Sequence, residues 1–432
     1  MARKIDVSKG IYNAPEQLGW PRTFVLGFQH MFAMFGATVL VPILTGLSIS
    51  VTLCCAGVGT LLFHFITKRK VPAFLGSSFA FLGGFAIVAP KLADGSPNTE
   101  MLPYACGGVV IAGLIYLVLS GLITGFGVKR VMKLFPPVVT GPIIILIGLI
   151  LAPSAVSNVQ TCWWLGVITM AIIIGCAVFG KGMINIIPIL LGVVGGYLIG
   201  AITGQVHLSQ AAIFGVPNFV IAKFDASAIL TMAPIALATM MEHVGDISAI
   251  GATCHKNFIA NPGLNRTLLG DGLATSLAGL VGGPANTTYG ENTGVLALSK
   301  VYDPLVIEIA ACLAVILSFF PVVESVISAM PSAVIGGASF ILYGMISAIG
   351  VRNMVENSVD LTKQRNLMIA AIILVSGLGI NGMGGLQLGP VNLSGLACAA
   401  IFGIILNAVL PGKDYEFSME ELEQRPADEI LK

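Results

Sequence analysis

Long apolar runs, separated by Gly, Pro, Asn and charged residues, follow one another along almost the whole chain of 432 residues. A membrane-spanning helix needs about 20 predominantly apolar residues. Measured against this length, the runs predict fourteen transmembrane segments, several of them short or interrupted. The predicted centres are Phe35, Leu61, Phe81, Ile115, Ile145, Ile172, Leu191, Ala236, Ser276, Gly294, Leu313, Ile341, Leu374 and Ile401.

Composition agrees with a polytopic helical membrane protein. Hydrophobic residues make up 56% of the chain and charged residues 10%, and the mean hydropathy is +0.93. Soluble domains carry about 25% charged residues, so a soluble enzyme is excluded. The net charge of +1 excludes a strongly basic nucleic-acid binder. We therefore expect membrane lipid around the protein and no nucleic acid as a partner.

The positions of the basic residues predict the orientation in the membrane. Lys and Arg concentrate in cytoplasmic loops. With the N-terminus inside, all of the 22 Lys and Arg residues except Lys91 and Lys223 fall on the cytoplasmic side of the fourteen segments. Both termini are therefore expected in the cytoplasm, which predicts the inner or plasma membrane as the location.

Short motifs recur in the same order in the two halves of the chain. The matches are Gln29-His30 with Glu242-His243, Pro72-Ala73 with Pro284-Ala285, and Phe135-Pro136 with Met330-Pro331. Fourteen segments give seven to each half. Since seven is odd, the second half enters the membrane from the opposite side. The pattern predicts a 7+7 inverted repeat, which is typical of alternating access around a site near the membrane midplane.

The third and tenth segments are abnormal for transmembrane helices. Residues 71–79 and 283–292 each combine proline, glycine, hydroxyl and aromatic residues. Non-helical backbone at membrane depth must be buried in protein or line a cavity. Apolar helical sequence follows each stretch, so each is expected to present a helix N-terminus with free N–H groups near the midplane. A pair of ordinary surface loops is the alternative.

Counting six residues on from the proline of each abnormal segment places Ser78 opposite Gly290 and Phe79 opposite Glu291. A hydroxyl, an aromatic ring and a carboxylate would then converge near one point. This combination suits a small, flat, polar molecule that packs against an aromatic ring.

The eighth segment carries three ionisable residues, Glu242, His243 and Asp246. Such groups are costly inside a membrane and are usually functional. Glu242 and Asp246 are four residues apart and share a helix face, whereas His243 is turned about 100° away. Two buried carboxyls on one face do not both ionise readily, so the pair is suited to binding a proton. A structural hydrogen-bonding role stays open for both acids, and a packing role is favoured for His243.

Four further polar residues are candidates for the same cavity. By the repeat, Gln29 and His30 in the first segment face the cavity of Glu242, with structural hydrogen bonding as an equal alternative. Ser339 and Tyr343 are four residues apart in the twelfth segment. They could line the cavity from the other side.

Other conspicuous residues have simpler interpretations. Asp271, near one end of the ninth segment, is expected to cap a helix. Glu308, in the eleventh, is expected to make a polar contact between helices. The cysteines form no CxxC pair and are interpreted as packing residues, so neither a disulfide nor a metal site is expected. They are Cys54, Cys55, Cys106, Cys162, Cys176, Cys254, Cys312 and Cys398.

At these residues the sequence resembles the nucleobase-ascorbate transporter (nucleobase:cation symporter-2) family, most closely its bacterial uracil permeases. Three stretches carry the resemblance: 29–42 in the first segment, 72–81 in the third and 286–292 in the tenth. It extends over about 19–410, and the stretch 286–292, Asn-Thr-Thr-Tyr-Gly-Glu-Asn, is highly specific.

The resemblance implies an all-α membrane fold in which segments 3 and 10 are broken by two short antiparallel strands. It also implies two domains between which the substrate lies. The divisions are a cytoplasmic N-terminal segment 1–22, a core domain 23–127 (spans 1–4) and 226–320 (spans 8–11), a gate domain 128–205 (spans 5–7) and 321–410 (spans 12–14), and a cytoplasmic tail 411–432.

Site residues are also implied by the resemblance. In similar permeases the carboxylates matching Glu242 and Glu291 hydrogen-bond the uracil ring, and the aromatic residue matching Phe79 packs against it. Backbone N–H groups near Phe79 and Gly290 meet its carbonyls. Other matching positions that line or support the site are Ser78, Ala37, Tyr289, Ser339, Tyr343, Gln29, His30 and Asn292.

A glutamate at position 291, where purine-transporting relatives typically have glutamine, favours a pyrimidine. The sequence departs from the residues usual in the family at two positions. Asp246 stands where the best-known uracil permease has histidine, and Ser299 stands where threonine is common. We expect a uracil importer driven by proton symport, with Glu242, Asp246 and Glu291 carrying the proton and no other cofactor. A homodimer is left open. The alternatives are a xanthine or uric acid symporter of the same family, or an anion transporter or channel on a related fold.

Overall fold

The computed structural model describes residues 10–208, 210–389 and 391–412, which are mostly helical. The first half contains α1 (Ala14–Leu18), α2 (Trp20–Thr45), α3 (Ile49–Ile66), β1 (Leu75–Ser77), α4 (Leu82–Val88), α5 (Leu102–Phe126), α6 (Val128–Met132), α7 (Pro137–Gln160), α8 (Trp163–Phe179), α9 (Met183–Ile186) and α10 (Pro188–Ile202). A 3₁₀ turn, Phe79–Phe81, precedes α4.

The second half contains α11 (Ala226–Met232), α12 (Ile235–Thr253), α13 (Leu264–Leu280), β2 (Asn286–Thr288), α14 (Gly290–Ser299), α15 (Pro304–Ser318), α16 (Pro321–Ser328), α17 (Ser332–Glu356), α18 (Gln364–Gly382), β3 (Leu386–Leu388), β4 (Val391–Leu393) and α19 (Gly395–Val409). A π-helical turn, Ile259–Gly263, precedes α13.

Seven helical stretches in the described part of the chain are long and apolar enough to cross a membrane. They are α2, α3, α5, α7, α11 with α12, α17 and α18. Helices α15 and α16 together make an eighth, although they meet at a bend of 85°. Phe79–Val88, α8, α10 and α19 are shorter apolar helices. This content confirms the predicted integral membrane protein.

Cap residues mark several of the helix ends. Gly46 ends α2 in the left-handed conformation at φ 86°, which glycine adopts without steric cost. Ser48, Asp303 and Ser394 begin α3, α15 and α19, and the side chain of each accepts a hydrogen bond from a first-turn N–H. These bonds satisfy donors that a helix start leaves free.

The helices pack in two groups. Helices α2, α3 and α5 pack with α13 and α15, whereas α7, α8 and α10 pack with α17, and α18 packs with α7 and α19. A close helix pair lies in each group. In the first group, a Cβ on Gly272 of α13 would lie 2.7 Å from the carbonyl oxygen of Gly113 of α5. In the second group, a Cβ on Gly350 of α17 would lie 2.7 Å from the carbonyl oxygen of Gly141 of α7. Small residues allow helix backbones to approach this closely in membranes.

Strands β1 and β2 lie in the first group, where they pair antiparallel with Leu75 opposite Thr288 and Ser77 opposite Asn286. All six residues of the two strands are buried. A second antiparallel pair, β3 with β4, precedes α19 and was not predicted from the sequence.

The N-terminal segment docks on the first helix group. Ile11 donates its N–H to the Lys300 carbonyl and accepts from the Tyr302 N–H. The hydroxyl of Tyr12 donates to the Cys254 carbonyl at 2.8 Å. Residues 1–9, and 413–432 of the predicted cytoplasmic tail, lie outside the described part of the chain.

Glu308 makes the predicted polar contact between helices. Its carboxylate accepts hydrogen bonds from Nε and Nη2 of Arg69, at 2.7 and 2.5 Å. It also lies 3.3 Å from Nδ1 of His64, whose Nε2 lies 2.9 Å from the Ala73 carbonyl oxygen. The contact therefore joins α15 to the end of α3 and to the approach to β1.

Gly113→Val tests the close packing of α5 on α13. A Cβ at this position would lie 2.6 Å from the carbonyl oxygen of Gly272, so we expect overpacking to cost about 1–3 kcal/mol. The midpoint of thermal unfolding in detergent should fall. Gly121→Val on the same helix is the control, because its Cβ would meet nothing within 4 Å. Equal midpoints for the two variants would contradict the packing argument.

Candidate functional site

Helix α12 is the element around which the predicted site residues gather. It packs against the turn Phe79–Phe81, against β2 and against α14, which are parts of both broken segments. It also contacts α7 and α19 of the second helix group. Residues on α12 can therefore contribute to a site where both broken segments and both helix groups meet.

The two acids of α12 lie on its accessible side. Glu242 and Asp246 are each half-buried, whereas His243 and Ile247 are fully buried. A spacing of four residues puts two side chains on one face of a helix, and here that face is less buried than the one that carries His243. The predicted separation of the two acids from His243 agrees with this pattern.

Asp246 lies beside the start of α14. A Cβ added to Gly290, the first residue of this helix, would be 3.6 Å from Oδ1 of Asp246. Glu291 follows as the second residue of α14. A carboxylate near a helix start is stabilised by the positive end of the helix dipole. Segments 8 and 10 therefore meet at an acidic group next to free main-chain donors.

The register of the broken segments differs from the expectation. Ser78 donates its N–H to the Ala285 carbonyl at 2.8 Å, so it lies opposite Ala285 and not opposite Gly290. Likewise, Tyr289 donates its N–H to the Phe74 carbonyl at 2.9 Å. The prediction was wrong because residues equally far from the two prolines would face each other only in parallel strands. In antiparallel pairing, the residue number rises along one strand while the number of the paired residue falls along the other.

Phe79 and Tyr343 meet across the two helix groups. Their rings pack edge to face, with centroids 5.9 Å apart and an interplanar angle of 74°. Ser78 precedes Phe79, and Ser339 lies one turn before Tyr343 on α17. The hydroxyls of Ser78, Ser339 and Tyr343 are all buried; that of Ser78 has no hydrogen-bond partner among the described residues, whereas those of Ser339 and Tyr343 interact with each other. Since buried polar groups are normally paired, this cluster is suited to a polar ligand.

Tyr289 is turned toward the strands and α2. Its hydroxyl donates to the Ser77 carbonyl at 3.0 Å and accepts from Thr38 Oγ1 at 3.3 Å. A Cβ on Gly76 would lie 2.4 Å from the ring, so only glycine leaves room for it. Ala37, next to Thr38 on α2, is 1% exposed. Tyr289 therefore has a supporting position.

Sequence analysis did not identify Thr38 and Ser77 as partners of Tyr289. Thr38 is 251 positions from its partner Tyr289, and a single sequence contains no signal for such a distant contact.

His30 and Asn292 join α2 to α14. The side-chain amide of Asn292 donates toward Nδ1 of His30 and to its carbonyl oxygen, both at 3.2 Å. His30 is fully buried and Gln29 is 6% exposed. Of the two roles left open for His30, structural hydrogen bonding is the one for which a contact is present. Asn292 is two residues beyond Gly290, so the bond positions the start of α14.

His243 and Asp271 form a buried contact on the far side of α12. Nδ1 of His243 lies 2.8 Å from Oδ2 of Asp271 and 3.0 Å from Oγ1 of Thr288. The side chains of His243 and Asp271 are both fully buried. These contacts hold His243 within the protein, and the packing role favoured for it stays a prediction. The capping role of Asp271 was wrong, because this residue lies inside α13, whose cap residue is Gly263.

In the part of the chain that is described, no group of three or more His, Cys, Asp or Glu residues is placed to hold a metal ion. All eight cysteines are free thiols.

Comparison with known proteins identifies the family. Residues 21–383 match the model of the Permease family (Xan_ur_permease). The chain belongs to this family. The uracil permease of Bacillus subtilis (strain 168) is 40% identical over 430 residues, which cover 94% of this chain and 96% of that protein. The putative pyrimidine permease RutG of Escherichia coli (strain K12) is 40% identical over 424 residues, with coverage of 95% and 94%.

A third relative, the uracil permease of Bacillus caldolyticus, is 41% identical over 406 residues, with coverage of 90% and 92%. The relatives are named permeases, so the chain is a transporter and not an enzyme, as predicted.

Solved structures show how widely the fold is shared. The transmembrane domain of the cyanobacterium bicarbonate transporter BicA matches with a TM-score of 0.64 at 16% identity, covering 88% of this chain and 99% of that one. SLC26A9 matches with a TM-score of 0.71 at 12% identity, covering 92% and 66%. At these identities the likeness shows a common fold alone.

Two tyrosines of this permease test the division between supporting and cavity-facing groups. Tyr289→Phe removes a hydroxyl that bonds Ser77 and Thr38, so we expect a loss of about 1–3 kcal/mol of stability and a lower thermal midpoint. Tyr343→Phe removes a hydroxyl that interacts only weakly with the hydroxyls of Ser339 and Ser154, so the midpoint should fall less. A larger loss for Tyr343→Phe would reverse the assignment.

Asp271→Ala tests the buried contact with His243. Removing one member of a buried polar pair costs about 3–5 kcal/mol, because the other is left without its partner. We expect a marked fall in the thermal midpoint. Asp94→Ala, which changes an exposed loop residue bonded only to Ser96 nearby, is the control. A midpoint for Asp271→Ala that equals the control would show that the contact contributes no stability.

Proposed function

We propose that this permease imports uracil by proton symport through alternating access. The observation that carries the proposal is the junction of both broken segments at α12, where the half-buried Glu242 and Asp246, the Phe79–Tyr343 pair and the start of α14 lie together. The uracil and pyrimidine permeases that are about 40% identical support the substrate.

Uracil is flat and has alternating carbonyl and N–H groups. In the proposed complex, the ring packs against Phe79, next to Tyr343. Main-chain N–H groups after Ser78 and at Gly290 donate to its carbonyls, and Glu242 and Glu291 accept from its N–H groups. The hydroxyl of Ser78 is available to complete the polar contacts.

The proposed architecture has fourteen spans in a 7+7 inverted repeat. Thirteen of the fourteen predicted centres lie within an α-helix, and Phe81 lies in the turn just before α4. The order of two long helices, a strand, a short helix and a long helix occurs as α2 to α5 and again as α12 to α15. Antiparallel pairing of β1 with β2 agrees with repeats of opposite orientation, and basic loops place both termini in the cytoplasm of a bacterium.

The two helix groups support the proposed division into domains. The first group corresponds to the core, 23–127 and 226–320, and the second to the gate, 128–205 and 321–410. Phe79 belongs to the core and Tyr343 to the gate, so their contact lies across the proposed boundary. Movement of the core against the gate would expose the substrate to one side at a time.

Proton coupling is assigned to Glu242, Asp246 and Glu291. Binding of a proton removes repulsion between neighbouring acids, and binding of substrate and proton then favour each other by linkage. A membrane potential contributes roughly 2.3 kcal/mol per charge for each 100 mV. The acids favour this function over anion transport, which would require a neutral or positive site.

Uptake into proteoliposomes tests the coupling. We expect labelled uracil to accumulate above its external concentration when the lumen is alkaline, and a protonophore to abolish this accumulation. Glu242→Gln should reduce uptake by at least tenfold, while Glu356→Gln, at an exposed ion pair with Arg352, should retain it. Accumulation that persists without a proton gradient would contradict proton symport.

Competition tests the substrate. Excess unlabelled uracil should block uptake of labelled uracil, while xanthine, uric acid and bicarbonate should leave most of it. Competition by xanthine or uric acid and not by uracil would favour the purine symporter. Flux that does not saturate would favour a channel.

A further inference from the structure

Glu324 on α16 binds the start of α3. Its Oε1 accepts hydrogen bonds from Ser48 Oγ and the Ile49 N–H, both at 3.0 Å, and its Oε2 accepts from Ser50 Oγ at 2.5 Å. Sequence analysis did not single out this residue. A carboxylate at a helix N-terminus gains from the helix dipole, and charge-assisted hydrogen bonds are about twice as strong as neutral ones.

The same contact is part of the cap of α3. The hydroxyl of Ser48 donates to Glu324 and also accepts from the Val51 N–H at 3.3 Å. Glu324 therefore satisfies the Ile49 N–H while Ser48 satisfies that of Val51. Breaking the contact would leave the Ile49 N–H to be satisfied by water.

Glu324 joins the two proposed domains. Helix α3 belongs to the proposed core, and α16, which packs on α3 and α15, is the first element of the proposed gate. The two domains connect here at the 85° bend between α15 and α16. Glu324 lies just beyond that bend, on the first turn of α16. A change in the angle between the domains would move its carboxylate relative to α3.

A cavity of about 460 Å³ lies beside the contact. Its wall includes Glu324, Ser48 and Ile49, together with Ser328 of α16 and Cys106 of α5. Cys106 is 1% exposed. The cavity therefore has core residues on one side and gate residues on the other, and Glu324 bridges them.

We propose that Glu324 is a latch that holds α16 on the start of α3 and narrows access to this cavity from the side of the membrane where α3 begins. The latch must open when the transporter opens toward that side. This inference rests on the proposed alternating access. It adds that the contact of Glu324 with the start of α3 sets the equilibrium between the open and closed forms of the transporter.

Labelling of Cys106 measures the state of the latch. The parent for the experiment retains Cys106 and carries serine at the other seven cysteine positions, and a membrane-impermeant maleimide is added to oriented vesicles from each side. We expect slow labelling of the parent. Glu324→Gln should raise the rate about tenfold from the side where α3 begins, the change expected for the loss of one charge-assisted hydrogen bond.

Two further variants keep the test decisive. Ser50→Ala removes one donor from the same carboxylate and should raise the rate less than Glu324→Gln. The double variant should label no faster than Glu324→Gln alone, because both changes break one contact. Glu356→Gln, at an exposed residue of the same proposed domain, should leave the rate unchanged.

Equal labelling rates for the parent, Glu324→Gln and Ser50→Ala would overturn the latch, and so would rapid labelling of the parent. Failure of the proposed function is seen separately, as a lack of gradient-driven uracil uptake by the parent. A loss of fold in Glu324→Gln would appear as labelling from both sides together with a lower thermal midpoint, and the decision would then rest on Ser50→Ala.

Discussion

Satisfaction of backbone hydrogen bonds away from water is the constraint on which the rest of this permease depends. Non-helical chain within a membrane is tolerated only where protein or a cavity receives its polar groups. Here β1 receives them from β2, more than 200 residues later in the chain. Tyr289 closes the pairing by bonding to Ser77 and Thr38. Once the strands are paired, α4 and α14 can begin inside the protein, next to α12.

Buried polar groups lie on two sides of α12. On one side, His243 contacts Asp271 and Thr288 in a fully buried cluster. On the side of the aromatic pair, the buried hydroxyl of Ser78 has no hydrogen-bond partner among the described residues, and those of Ser339 and Tyr343 interact with each other. The contacts of His243 tie α12 to α13 and β2, whereas the side of the aromatic pair is the one on which the proposed ligand would lie.

Hydropathy was enough to predict the membrane class, because each apolar run is local. Motifs were enough to predict the family, since the stretch from Asn286 to Asn292 is specific. Contacts between residues that are far apart in the sequence were harder to predict. The Ser78 register was wrong because proline spacing carries no information on strand direction, and Asp271 was misassigned because its partner is on another helix. Glu324 was missed for the same reason: its three donors lie about 275 positions away.

The pairing of β1 with β2 also bears on whether half of this chain could be stable by itself. Each strand has its hydrogen-bonding partner in the other half, so a half-length chain would carry unsatisfied backbone groups into the lipid. A partner that supplies the other strand would be needed to satisfy them. The peptide link between the halves thus keeps the two pairing strands in one molecule, so neither strand has to find its partner in a separate chain.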